Sequence, residues 1–327
     1  MSTFGLYLHI PFCVKKCNYC DFLSFPAKEA LKDEYVKALA MEMQLWKDKV
    51  SNDAVDTIFI GGGTPSSIDE GYILSVIKTI KENFAVEEDA EITIEVNPGT
   101  VNKEKLEAYK QCGINRLSIG LQAVQDNLLK SIGRIHTFKD FENTYDYARQ
   151  VGFDNINVDL MIALPGQTMD DVKESVKTIV GLKPEHISVY SLILEEGTPM
   201  YDMVQNKKLE LPDDDTERQM YWYVKECLEK HKYKHYEISN FARQGFESKH
   251  NMDCWNQKEY QQNFFLSKHN YQSVFRTKQK VKDACQTSHL LSKKIVFHNK
   301  TKFFSKKGCI FLLQIHQPPP LSPIPSP

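Results

Sequence analysis

The sequence predicts an α/β chain of six successive strand–helix units followed by a small α+β region. Such a chain forms a partial (β/α)6 TIM-like barrel or an open doubly wound sheet. Two observations predict it. Six apolar, β-branched-rich runs alternate with helical patterns, and strict alternation implies a parallel sheet with right-handed crossovers. Residues able to do chemistry also fall near the C-terminal ends of those runs, one run after another, where barrels of this kind place their active sites.

The strand-like runs are Thr3–Ile10, Thr57–Ile60, Glu91–Val96, Asn115–Ile119, Asn155–Leu160 and Ile187–Leu194. Between the first two, Leu31, Tyr35, Leu39, Met43 and Trp46 step by three or four residues, which marks an amphipathic helix. Further helical patterns cover 70–84, 102–111, 138–150 and 169–180, with stops at Gly113 and Gly152. Past residue 195 the alternation ends. Glu196-Gly197-Thr198-Pro199 reads as a turn, Asp213 to Thr216 cap a helix reaching about Lys230, and His235–Ile238 reads as a short strand. The ends of the first five strands carry the cysteine loop, Gly61-Gly62-Gly63, the run Glu95 to Pro98, Gln122 and Asp159.

A chain of 327 residues with 41% hydrophobic content can bury one large core. No apolar run approaches a membrane span, and the N-terminus reads as a strand, not a signal peptide, so a cytoplasmic protein is expected. Eight cysteines in a reducing compartment suggest metal ligands or buried thiols before disulfides. Charge is uneven. The first 260 residues carry 30 basic and 42 acidic side chains, and the last 67 carry eleven and one. A body this acidic argues against a nucleic-acid partner.

The chemical signal sits between Tyr7 and Phe22. Cys13, Cys17 and Cys20 are spaced C-x3-C-x2-C. A 4Fe–4S cluster normally takes four thiolates. Three leave one iron open, as a catalytic metal requires. The amino and carboxylate groups of S-adenosylmethionine (SAM) suit that position, and a low-potential cluster there would cleave the sulfonium reductively. The alternative is a zinc site completed by His9 or a distant cysteine. Cys112 and Cys227 lie in helical patterns and read as buried thiols.

Together with the cysteine loop, six segments resemble the radical SAM HemN/HemW family: Gly61 to Pro65, Glu95 to Pro98, Ser118 to Gln122, Gly133 to His136, Asn157 to Leu160 and Tyr236 to Phe241. That family holds oxygen-independent coproporphyrinogen III oxidases and haem chaperones. The resemblance runs from about residue 4 to Tyr260 and favours the partial barrel over the open sheet. It implies a 4Fe–4S cluster on Cys13, Cys17 and Cys20. It implies SAM contacts from Tyr7, Tyr19, Gly62, Gly63, Thr64, Glu95, Gln122, Arg134, Asp159 and Ile193. The plainer alternatives are an interior barrel tyrosine for Tyr7, a structural salt bridge for Glu95, a core residue for Ile193 and a tight turn for the glycines, although a turn needs one glycine and three in a row favour a close ligand.

Two departures from the oxidase pattern resemble the chaperone branch: Phe22 replaces a fourth cysteine, and only twelve residues precede Cys13. His250 to Trp255 resembles that branch's haem-binding signature, with Cys254 in place of tyrosine. It implies haem on His250, against the plainer reading of a surface-loop histidine. Haem or a porphyrin is the expected ligand, with an unidentified haem-receiving protein as partner. The expectation is a chaperone that binds cluster, SAM and haem; the alternative is an oxidase converting propionates to vinyls. The expected organisation is a barrel over 1–200, the start of a C-terminal domain over 201–260, and a basic, proline-ended tail over 261–327. The tail reads as disordered or frame-shifted, or else as a genuine basic tail.

Overall fold

The structure, a computed structural model, describes residues 3–256. Six strands line up in chain order as parallel neighbours: β1 (Thr3–Ile10), β2 (Ala54–Gly62), β3 (Ala85–Val96), β4 (Arg116–Gln122), β5 (Ile156–Ile162) and β6 (His186–Ser191). Helices α1 (Glu29–Lys47), α2 (Glu70–Asn83), α3 (Lys103–Cys112), α4 (Asp126–Ser131), α5 (Phe138–Val151) and α6 (Met169–Leu182) fill the crossovers. After β6 come α7 (Pro199–Gln205), α8 (Asp214–Lys230), the short strands β7 (Lys234–His235) and β8 (Asn240–Ala242), and α9 (Lys249–Trp255). β8 pairs antiparallel with β6, so the sheet continues β6-β8-β7. Among the described residues no strand pairs β1 to β7, which leaves the barrel partial.

Local chemistry sets the helix ends. Thr137 with Asp140, and Thr168 with Asp171, form reciprocal capping boxes at the starts of α5 and α6. The Asp213 carboxylate accepts the Thr216 N–H at the start of α8. Each such cap is worth about 1 kcal/mol. α3 and α5 stop at Gly113 and Gly152, where the sequence placed their ends.

The sheet has two unlike faces. Leu8, Ile60, Ile94, Ile119, Val158 and Val189 point to the helices and are buried in one continuous core. Truncating one of them to alanine would cost about 2–5 kcal/mol. The other face, inside the barrel, carries Thr57, Glu91, Thr93, Glu95, Ser118, Asn157, Asp159, His186 and Ser188, which alternate with the apolar set.

Several expectations shift. Asp159 lies mid-strand in β5, not at its end, because pairing with β6 continues to Ile162. β6 stops at Ser191, short of Leu194. The strand expected at His235–Ile238 is a hairpin: the chain turns after His235 and returns as β8. α4, α7 and α9 were not anticipated, since six or seven residues are too few for a helical period to show. Cys112 and Cys227 are half-buried rather than buried. Among the described residues, no helix is long and apolar enough to cross a membrane. The expected boundary at Tyr260 and the tail over 261–327 lie outside the described residues.

Candidate functional site

The cysteines occupy the loop that leaves β1. Phe25 N–H donates to the Pro11 carbonyl at 2.9 Å and Cys13 N–H to the Phe25 carbonyl at 3.2 Å, so the loop closes on itself. Asn18 then pins it across the barrel mouth. Its N–H donates to the Ile132 carbonyl, just past α4, and its own carbonyl accepts from Met200 in α7, both at 3.0 Å. All three thiols are free and half-buried. Thr64 Oγ1 donates to Cys13 Sγ at 3.5 Å, and Arg134 Nη1 to Cys17 Sγ at 3.7 Å. Cys20 Sγ lies 3.9 Å from Ser24 Oγ, and burial pushes its thiol up.

The glycine turn is fastened to this loop. Gly63 N–H donates to Ile10 O at 2.8 Å and Thr64 N–H to Phe12 O at 2.7 Å. Gly62 has φ +116°, and a Cβ there would sit 2.5 Å from His9 Nδ1. A Cβ on Gly61 would sit 2.8 Å from the Phe59 ring, and one on Gly63 2.8 Å from the Phe12 carbonyl. Each of the three glycines therefore has a reason within the chain itself, so their number alone does not point to a ligand. Thr64 is buried, accepts from Asn97 Nδ2 at 2.9 Å and points its hydrogen at Cys13.

Two carboxyl groups and one guanidinium face each other above this turn. Glu95 Oε2 accepts the Gly62 N–H at 3.0 Å. Burial pushes its carboxyl up to about 8, and the charge of Asp159 adds to this. Asp159 is also raised, mainly by burial, and accepts from Asn157 Nδ2 at 2.8 Å and Ser118 Oγ at 3.4 Å. Arg134 donates to the Gly120 carbonyl at 2.5 Å, while its Nε has no hydrogen-bond partner among the described residues. Gln122 is buried at the end of β4 with φ +77°, where a bulge shifts the register against β5. A non-glycine residue held in that conformation is a mark of functional sites.

Tyr7 faces the barrel interior and stacks on Phe59, with ring centroids 5.9 Å apart. Tyr19 packs against the small apolar cluster that includes Leu129, Ile132, Leu164 and Met200, and burial raises its phenol well above the ordinary value. Ile193 is 37% exposed at the edge of the mouth, not core.

His250 stands apart from these residues. It is 4% exposed, its Nδ1 lies 2.9 Å from Thr57 Oγ1, and its ring tilts against Phe59 at 5.3 Å. Burial, and after it the charge of Arg116, pushes its imidazole down to about 3. It is neither a surface-loop histidine nor part of the mouth. Thr57 precedes Gly61 by four residues, which puts His250 under the barrel on the opposite side from the cysteine loop.

Sequence reasoning missed His186 and Ser188, and it assigned no role to Ser118, Asn157 and Tyr236, which open three of the matching segments; together these five line the barrel between the two ends. The signal was present as polar residues at every second position of otherwise apolar strands, as in Asn157/Asp159 and His186/Ser188.

The donor set fits an iron–sulfur cluster. Among the described residues, no three His, Cys, Asp or Glu side chains converge as a single-ion site. His9, the candidate fourth zinc ligand, has its Nε2 on the Leu23 carbonyl at 2.9 Å and keeps Nδ1 without a hydrogen-bond partner among the described residues, but it does not converge with the three thiols as a single-ion site. Three free thiols on one loop suit a cluster, whose irons take separate thiolates.

Comparison with known proteins agrees with this geometry. The profile of the Radical SAM superfamily matches residues 7–179. The sequence is 43% identical over 255 residues to the protein named Heme chaperone HemW of Bacillus subtilis, covering 78% of this chain and 67% of that one. It is 35% identical over 261 residues to Heme chaperone HemW of Escherichia coli, covering 80% and 68%. Among solved structures, the coproporphyrinogen III oxidase HemN of Escherichia coli, described as a radical SAM enzyme, superposes with a TM-score of 0.68 at 26% identity, covering 78% of this chain and 58% of that one. The matched region spans about two thirds of the length of the chaperone relatives.

Proposed function

The chain belongs to the radical SAM superfamily, in its HemN/HemW family, and on that premise we propose that it is a haem chaperone that holds a 4Fe–4S cluster and SAM at the barrel mouth. Cys13, Cys17 and Cys20 hold the cluster. Thr64 and Arg134 orient two of the thiolates through the contacts to their sulfurs. When bound, the cluster supplies a low-potential electron at the SAM sulfonium. Glu95, Gln122, Arg134 and Asp159 hold the polar groups of SAM, with Gly62, Gly63 and Thr64 forming the wall beside the cluster. Tyr7, Tyr19 and Ile193 supply its apolar contacts. The observation that carries this reading is the direct tie of the loop to the SAM-facing residues: Arg134 reaches Cys17 Sγ with one nitrogen and the Gly120 carbonyl with another.

The chaperone is favoured over the oxidase because Phe22 stands where the oxidases carry a fourth cysteine, and 63% of it is exposed beside the loop. Its relatives named Heme chaperone HemW supply the ligand class, an iron porphyrin. His250 can serve as an iron ligand only with α9 undocked, because the docked ring is sealed against Thr57 and Phe59.

Anaerobic reconstitution, haem titration and a coproporphyrinogen III turnover assay on one sample test the proposal. The expected result is cluster and haem binding without decarboxylation. Conversion of coproporphyrinogen III to protoporphyrinogen IX would establish the oxidase instead.

A further inference from the structure

The polar residues lining the barrel form one continuous, oriented chain of hydrogen bonds. It starts at α9. Ser248, the N-cap of that helix, gives its Oγ hydrogen to Glu91 Oε1 at 3.1 Å, and Glu91 also accepts the Lys249 and His250 N–H groups. Ser248 N–H donates to Tyr236 OH at 3.3 Å. With that oxygen already an acceptor, the Tyr236 hydrogen turns to His186 Nε2, 2.7 Å away. His186 Nε2 is then a lone pair and Nδ1 carries the hydrogen, which donates to Asn157 Oδ1 at 2.6 Å. Ser188 Oγ donates to the same oxygen at 3.1 Å, and the His186 donor on one side with the acceptor-only Asp159 carboxylate on the other orients the Asn157 amide. Its Nδ2 therefore points to Asp159 Oδ1 and Ser118 Oγ, both at 2.8 Å.

The two bonds of His186, to Tyr236 and to Asn157, require a neutral imidazole with its hydrogen on Nδ1. Burial, and next the charge of Arg116, hold that imidazole well below its ordinary value. An imidazolium would donate at both nitrogens and reverse the Tyr236 hydroxyl. In a chain this buried, one misplaced hydrogen leaves a polar group unsatisfied, so the members stand or fall together.

We propose that Tyr236 is a positioning residue for Asp159, acting through His186 and Asn157, so that the segment after the barrel sets the cofactor-site carboxylate. The inference rests on the reading of Asp159 as a SAM contact. Without the Tyr236 hydroxyl, His186 Nε2 has no donor. The ring is then free to turn or change tautomer, and Asn157 loses the bond that aims its amide at Asp159.

Tyr236→Phe keeps the ring and removes only the hydroxyl. Tyr233→Phe is the control: that tyrosine is buried, and its hydroxyl donates to the Pro184 carbonyl at 2.7 Å outside the chain. Two quantities are measured on reconstituted full-length protein: SAM affinity by anaerobic equilibrium dialysis, and the Asp159 titration by carboxyl ¹³C NMR. Tyr236→Phe is expected to weaken SAM binding about fivefold and to move the Asp159 titration upward, while Tyr233→Phe changes neither. Unchanged values in Tyr236→Phe, or equal changes in both variants, would overturn the proposal. If the unmodified protein binds no SAM, the proposed function fails, and the Asp159 titration alone then decides the positioning role.

Discussion

His250 Nδ1 lies 2.9 Å from Thr57 Oγ1, joining the last described helix to the second strand across 193 residues. With the Glu91 bonds to the start of α9, this contact closes the barrel from below. The residue the sequence offered as a haem ligand is thus a packing residue in the docked state.

His250→Ala should therefore lower global stability. Removing a buried ring and leaving Thr57 without its partner costs about 2–4 kcal/mol, measurable by chemical denaturation. The neutral imidazole also sets an acid limit. Its pKa falls from 6.5 unfolded to about 3 folded, so its stability contribution is present above pH 6.5 and is lost as pH falls towards 3. The alanine variant should show a flatter acid limb. Unchanged stability combined with complete loss of haem binding would instead mean that α9 is undocked in solution.

Glu42 offers a test in the opposite direction. It is 7% exposed on the core-facing side of α1, and burial alone pushes its carboxyl up from 4.5 to about 8. For an acid raised in the folded state, the unfolded chain ionises first. Stability is then lost as pH rises from 4.5 to 8. Glu42→Gln should be more stable than the unmodified protein at pH 8 by a few kcal/mol, on the order that this shift implies, and nearly equal to it at pH 4.5. Melting curves at the two pH values check this.

Gly62→Ala should destabilise by roughly 2 kcal/mol or more, because it combines a left-handed backbone with a clash. The added Cβ would meet His9 Nδ1 at 2.5 Å. Gly166→Ala shares the positive φ, +72°, but meets nothing within 4 Å, so it should cost less. Comparing the two unfolding free energies separates backbone strain from the clash.

Alanine at Cys13, Cys17 or Cys20 should abolish the broad visible absorbance of the reconstituted protein and SAM cleavage, because an incomplete thiolate set does not hold the cluster. Cys112→Ala, in which the lost thiol only donates to the Tyr109 carbonyl at 3.1 Å, should retain both. Iron and acid-labile sulfide assays distinguish the outcomes.

The sequence by itself determined the scaffold and the composition of the mouth. Strand periodicity, helix caps such as Asp213 and glycine stops such as Gly113 are local signals, written within a few residues and governed by backbone geometry. The spacing of Cys13, Cys17 and Cys20 is local too, so it was legible without coordinates. Whatever depends on contacts between distant residues was decided only by the tertiary structure. The three glycines proved to be demanded by His9, Phe12 and Phe59. His250, a haem ligand by resemblance and a surface-loop histidine by the plainer reading, sits under the barrel, because Thr57, Phe59 and Glu91 supply a polar and aromatic seat that no local pattern announces. The chain from Asp159 to Tyr236 exists because parallel register places Ser118, Asn157 and His186 side by side. One-dimensional periodicity shows which residues share a face, and only the register of the folded sheet shows which of them touch.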